Sequence, residues 1–183
     1  LSAQNKSAGI NLSLWKNMST QPDDSTQTSY LNLGLLSSLN RQNGVGINIL
    51  GSVVHSDMNG VQLTGLANLS GTMRGVQIAG ISNISGINSA GLTISGLVNI
   101  TDDNSHGLYI SGLTNIAGDR FSGVMVSGIM NVPDNNTSGL LLSGLSNLSG
   151  SDFTGLMFAG FLNLTGSDLR GLQLSALSNI TVK

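Results

Sequence analysis

Gly91-Leu92-Thr93-Ile94-Ser95-Gly96-Leu97-Val98-Asn99-Ile100 decides the fold, because the chain writes it again sixteen residues later. The second copy reads Gly107-Leu108-Tyr109-Ile110-Ser111-Gly112-Leu113-Thr114-Asn115-Ile116. The unit returns from Gly123, Gly139, Gly155 and Gly171, and from Gly75 onward its spacing is sixteen without exception. Self-similarity at a fixed short period marks a repeat architecture and outranks local propensity. Numbered from its leading Gly as position 0, the unit has apolar residues at 1, 3, 6 and 9. A small residue stands at 4, a second Gly at 5 and Asn at 8, and polar variable residues fill 10 to 15. Earlier copies start at Gly9, Tyr30, Gly44 and Gly60, which makes eleven.

Alternation at 1 and 3 is a strand signal of period two. A helical repeat needs ~33 residues or more, and a leucine-rich repeat ~20 or more. Two glycines per unit also oppose helix, at about 1 kcal/mol each relative to Ala. Sixteen residues suffice for one coil of a narrow β-solenoid: two short strands, a corner and a return loop. Gly at 5 is expected at the corner, where positive φ or close packing is wanted. Coils pairing in parallel ~4.8 Å apart would stack eleven units into a rod of roughly 50 Å. The expectation is therefore an all-β, single-domain β-solenoid (parallel β-helix) over residues 1–183. Residues 9–29 are its first coil with a loop insert around Pro22, 30–59 its degenerate coils and 60–183 its regular repeats. An antiparallel barrel or sheet of hairpins is the rival architecture.

In a solenoid each position becomes a row. The rows at 1 (Leu92, Leu108, Val124), 3 (Ile94, Ile110, Val126), 6 (Leu97, Leu113, Ile129) and 9 (Ile100, Ile116, Val132) are expected to form the core. The row at 8 holds Asn68, Asn83, Asn99, Asn115, Asn131, Asn147, Asn163 and Asn179, with Asn17 before them and Ser38 and Ser52 between. Stacked amides can hydrogen-bond from coil to coil, so a buried Asn ladder is expected. Several of these residues also satisfy the glycosylation sequon, as in Asn99-Ile100-Thr101. An Asn wedged between apolar rows is a poor glycan acceptor. Position 2 lies between two residues assigned to the core, so it is expected to face solvent. There the apolar run Tyr109, Met125, Leu141 and Met157, flanked by Gln62, Gln77 and Gln173, reads as an interaction stripe for a protein partner or a second copy.

The remaining composition narrows the function. Charged residues are only 9% and net charge is −2, which offers no basic footprint for nucleic acid. Cys is absent, removing disulfides, thiolate metal sites and a Cys nucleophile. No apolar run approaches the ~18 residues of a membrane-spanning helix. Seven acids, Asp57, Asp102, Asp103, Asp119, Asp134, Asp152 and Asp168, fall at positions 11 to 13 and form an acidic edge. Calcium on that edge is one reading; solvated turn residues are the other, and the glycine-rich signature of calcium-binding solenoids is missing. His55 and His106 stand three coils apart, and no Ser, His and Asp set can be nominated. Paired carboxylates for glycan cleavage would need to stand ~5–10 Å apart, and the single Trp and two Tyr line no common cleft. No cofactor and no catalytic residue is expected.

The run Gly75-Val76-Gln77-Ile78-Ala79-Gly80-Ile81-Ser82-Asn83-Ile84 resembles the consensus of short-repeat surface proteins of Gram-negative bacteria, roughly Gly-Leu/Val-Gln-x-Gly-Leu-x-Asn-Ile. The resemblance covers Gly44 to Ile180. It implies an exported protein at the cell surface, in the periplasm or outside the cell, with Leu1-Ser2-Ala3 as what remains after an export signal is removed. The expected function is a non-enzymatic surface or structural module offering a rod-shaped, adhesin-like contact surface. The alternative is a carbohydrate-binding or carbohydrate-active β-helix protein.

Overall fold

The computed structural model describes residues 7–15, 18–20 and 28–182. Asn17 and the Pro22 insert lie outside them. Among the described residues every regular element is a strand. In the regular half each coil has one long and one short strand, for example Asn104–Ser111 and Thr114–Ala117, then Arg120–Ser127 and Met130–Pro133. Each pairs in parallel with its counterpart one coil on, so Gly107 stands beside Gly123, Tyr109 beside Met125 and Asn115 beside Asn131. The result is a β-solenoid of about ten turns, not an antiparallel barrel. One antiparallel pairing occurs among the described residues, Ser13 with Ser19 in the first coil.

Two glycine rows make this stacking feasible, for different reasons. The leading row has positive φ, from 119° at Gly60 to 152° at Gly171, a conformation L side chains avoid. The position-5 row does not, and the expected positive φ is therefore found at position 0. At Gly112 the constraint is proximity alone: an added Cβ would fall on the carbonyl oxygen of Gly96 in the coil before.

The inside and the outside of the coil are the reverse of the sequence expectation. Tyr109, Met125, Leu141 and Met157 are all 0% exposed. They are core, and no solvent-facing stripe exists there. They pack with Phe121, Phe153 and Ala117, and Tyr109 meets Phe121 edge to face at 5.7 Å and 87°. The position two residues before the next leading Gly, assigned to the variable polar segment, supplies these Phe residues and also Met58 and Met73. The four rows expected as core are instead half-buried or exposed, among them Leu108, Leu113, Leu145, Leu156 and Phe161.

The physical cause is the Asn row. Asn99 donates to Asn115 Oδ1 at 2.9 Å and to the carbonyl of Ile110, on the long strand of the next coil, at 2.8 Å. The amide thus bridges both walls of the lumen, which only an inward side chain can do. Successive side chains on a strand point to opposite faces, so Asn115 inward sends Thr114 and Ile116 outward and Ala117 inward, as their burial shows. On the long strand, Ser105, Tyr109 and Ser111 point inward while Leu108 and Ile110 point outward.

Candidate interaction surface

The amide ladder runs unbroken from Asn68 through Asn83, Asn99, Asn115, Asn131, Asn147 and Asn163 to Asn179, each link 2.8–3.0 Å. Every Asn from Asn68 to Asn163 also donates to a position-3 carbonyl one coil on, from Ile78 to Leu174. Both amide hydrogens are used, and Asn68 to Asn163 are buried. A glycan cannot be attached to these side chains in the folded coil. The ladder is scaffold. It fixes the coil repeat and thereby sets the spacing of everything outside.

Below Asn68 the row continues as Ser52 and then Ser37, whose hydroxyls meet at 3.0 Å. The expected member Ser38 stands one residue off, because the pairing shifts between Gly34 and Leu36. Ser38 instead reaches His55 Nε2 at 3.1 Å. His106 is exposed, three coils away.

Four of the outward rows, at positions 1, 3, 6 and 9, are uniformly apolar, while the row at position 7 mixes Val98, Met130 and Leu162 with Ser82, Thr114, Ser146 and Ser178. From Leu66 through Ile81, Leu97, Leu113, Ile129, Leu145 and Phe161 to Leu177, every corner carries a large apolar side chain, and nearly all are exposed. Rows 1, 3 and 9 flank this corner row with Leu, Ile, Val and Phe only, from Val61 to Ile180. Val126, Leu142, Phe158 and Leu174 of row 3 border a shallow groove of about 440 Å³. A second apolar groove, about 750 Å³, lies across the first coils between Leu12, Leu14, Met18, Leu33, Leu35 and Ile49. A monomeric soluble protein rarely exposes a continuous apolar patch larger than a few hundred Å².

Charge is kept elsewhere. Among the described residues the charged side chains are Arg41, Asp57, Arg74, Asp102, Asp103, Asp119, Arg120, Asp134, Asp152, Asp168 and Arg170. All lie on the return segments between position 10 of one unit and the leading Gly of the next. There the Asp side chains are largely exposed, Arg41 pairs with Asp57 at 3.4 Å, and Asn135 donates to Asp119 Oδ1 at 3.0 Å. A polar groove of about 420 Å³ on this edge is bordered by Arg120, Asp152, Asp168 and Arg170. Among the described residues no three acidic or His side chains converge as a cation site would require.

The structure therefore defines a β-solenoid repeat protein with a hydrogen-bonded polar ladder inside and an aliphatic exterior. No family model, curated protein sequence or solved structure matches the chain.

Proposed function

We propose that the protein is an exported, non-enzymatic surface or structural module whose working part is the outside of the rod. The carrying observation is the run of outward apolar rows, uninterrupted by charge from Leu66 to Leu177. Exposed apolar patches larger than a few hundred Å² mark interaction surfaces. The surface is repetitive, with one Leu-sized side chain per ~4.8 Å step, and so it suits an extended partner better than a small ligand. The exposed acids sit away from it, at the return segments of the coil.

The test compares the native chain with Leu97→Gln/Leu113→Gln/Leu145→Gln, which alters three outward corner side chains and leaves the lumen intact. The native chain should bind an octyl-coated matrix and self-associate in sedimentation. The variant should do both markedly less, with an unchanged circular dichroism spectrum. Equal behaviour of the two proteins would remove the outward rows as the functional surface.

A further inference from the structure

We infer that the apolar exterior is a lipid-facing surface, and that the rod lies in the interfacial plane of a bilayer with its charged return edge toward water. This rests on reading the outward rows as the interaction surface, and it names what covers them.

Four observations select lipid over a second copy of the chain. The first is polarity. The lumen is mixed, a column of Asn, Ser, Thr and Gln beside the Tyr, Met and Phe cluster. Leu, Ile, Val and Phe stand outside it, so apolar side chains face outward along the strands as they do where strands meet hydrocarbon.

The second is shape. The apolar rows occupy the long strand, the short strand and the convex corner between them, as Leu108, Ile116 and Leu113 show in a single coil. A rigid partner rod can cover one flat side. Rows 1 and 3 stand about 6.6 Å apart, so that side is a strip roughly 10 Å wide. A second rod docked on that strip leaves the corner row and the other side uncovered. Acyl chains conform to a corner and can cover both sides at once.

The third is the backbone. A chain in hydrocarbon must satisfy its N–H and C=O groups internally. The strands pair along the rod axis, and so do the apolar corners: Leu97 donates to Ile81 O at 3.0 Å, Leu113 to Leu97 O at 3.0 Å and Phe161 to Leu145 O at 2.9 Å. The flank of the rod thus presents side chains to its surroundings and no open strand edge.

The fourth is the distribution of charge. The charged edge runs the length of the regular coils, from Arg74 to Arg170. It forbids a crossing of the bilayer and fits a rod lying in its surface. That edge carries more Asp than Arg, so anionic head groups contribute no attraction, and the contact is apolar in origin.

The experiment is flotation with phosphatidylcholine vesicles, together with the fluorescence of Trp15. Trp15 is the single Trp of the chain, 56% exposed, and it pairs with Met18 in the antiparallel turn of the first coil, beside the second apolar groove. The protein should float with the vesicles and keep doing so in high salt. Trp15 emission should move to shorter wavelength, and replacing part of the lipid with phosphatidylglycerol should not strengthen binding. Leu97→Gln/Leu113→Gln/Leu145→Gln should lower partitioning about tenfold or more, since each Leu withdrawn from lipid loses apolar transfer energy. A protein that stays off the vesicles yet self-associates through the same three residues would overturn the lipid inference and leave the interaction surface standing. A protein that does neither would overturn both. Binding confined to anionic vesicles and lost in salt would also overturn it, because the edge and not the apolar rows would then make the contact.

Discussion

The coils from Gly75 onward and the coils before it solve the same problem in different ways. In the later region the spacing is sixteen throughout, the pairing register does not shift after the early part of the sheet, and every ladder amide from Asn83 to Asn163 has its partners. In the earlier region the units starting at Gly9, Tyr30, Gly44 and Gly60 are 21, 14, 16 and 15 residues long, and the register shifts near Leu31, Leu36, Asp57 and Thr72. The column there mixes Asn, Gln and Ser. Amide atoms are left there without a partner in the protein: Oε1 of Gln42, both amide atoms of Asn48, Nε2 of Gln62 and Oδ1 of Asn68. In the later coils the unpartnered buried atoms are Oε1 of Gln77 and Ser or Thr hydroxyls such as those of Ser89, Thr93, Ser105 and Ser127. A ladder of identical side chains closes only when the coils are of equal length, because each amide must meet its copy at one fixed step. Length regularity is thus a condition of a closed amide ladder, and the repeat is strictest where the ladder is longest.

The largest effect should come from the glycine row that permits the stacking. Gly107→Ala would force a side chain onto a backbone with φ of 126° and onto the carbonyl oxygen of Gly91. Gly107→Ala should destabilise by about 4 kcal/mol or more, read as a loss of cooperative unfolding or a large drop in denaturation midpoint. Gly86→Ala is the control: its new Cβ would have a nearest neighbour at 3.9 Å, Ser70 O, and should be close to neutral.

Next in size is the contrast between a satisfied and an unsatisfied amide. Asn131→Leu removes two donated bonds and strands the amide of Asn115 and the oxygens of Asn147 and Leu142. At ~1–3 kcal/mol for each buried group left unpaired, a loss of about 3 kcal/mol is expected. Asn48→Leu removes a buried amide that has no partner in the protein, so urea denaturation should find it neutral or stabilised by about 1 kcal/mol. Equal losses for both would mean that the two regions do not differ in the way described.

The smallest effect is a repair. Ser52→Asn extends the ladder one coil downward and offers Asn68 Oδ1 the donor it lacks. A gain of about 1 kcal/mol in unfolding free energy is expected. A loss would show that the shorter coils hold the two positions too far out of step for an amide link.

Period, strand character, parallel stacking and the Asn ladder were all legible in the sequence, because each depends only on what repeats. The direction of the alternation was not read correctly. Alternation states that Leu108 and Tyr109 face opposite ways, and hydrophobicity alone then assigns Leu108 to the core. The deciding signal was present in Asn115-Ile116: if the Asn is inside, its neighbour on the strand is outside, and rows 8 and 9 cannot both be core. The four apolar residues at position 2 also had a local cause, mutual packing with Phe121 and Phe153 in the lumen. Those two Phe residues were hidden in a segment that averages polar over the copies. The step from Ser38 to Ser37 was beyond the pattern, since a bulge leaves no mark in a degenerate unit.

The central claim is that the aliphatic rows are outside and the Met, Leu and Tyr row inside, and the absence of Cys from the chain allows a direct measurement. Leu156 is 42% exposed and its neighbour Met157 is 0% exposed. Single Leu156→Cys and Met157→Cys variants, treated under native conditions with a charged, membrane-impermeant maleimide in the absence of lipid, report on each side chain in turn. The account predicts rapid labelling at position 156 and labelling at position 157 only as fast as the protein unfolds. Rapid labelling at 157 with protection at 156 would contradict it and restore an aliphatic core.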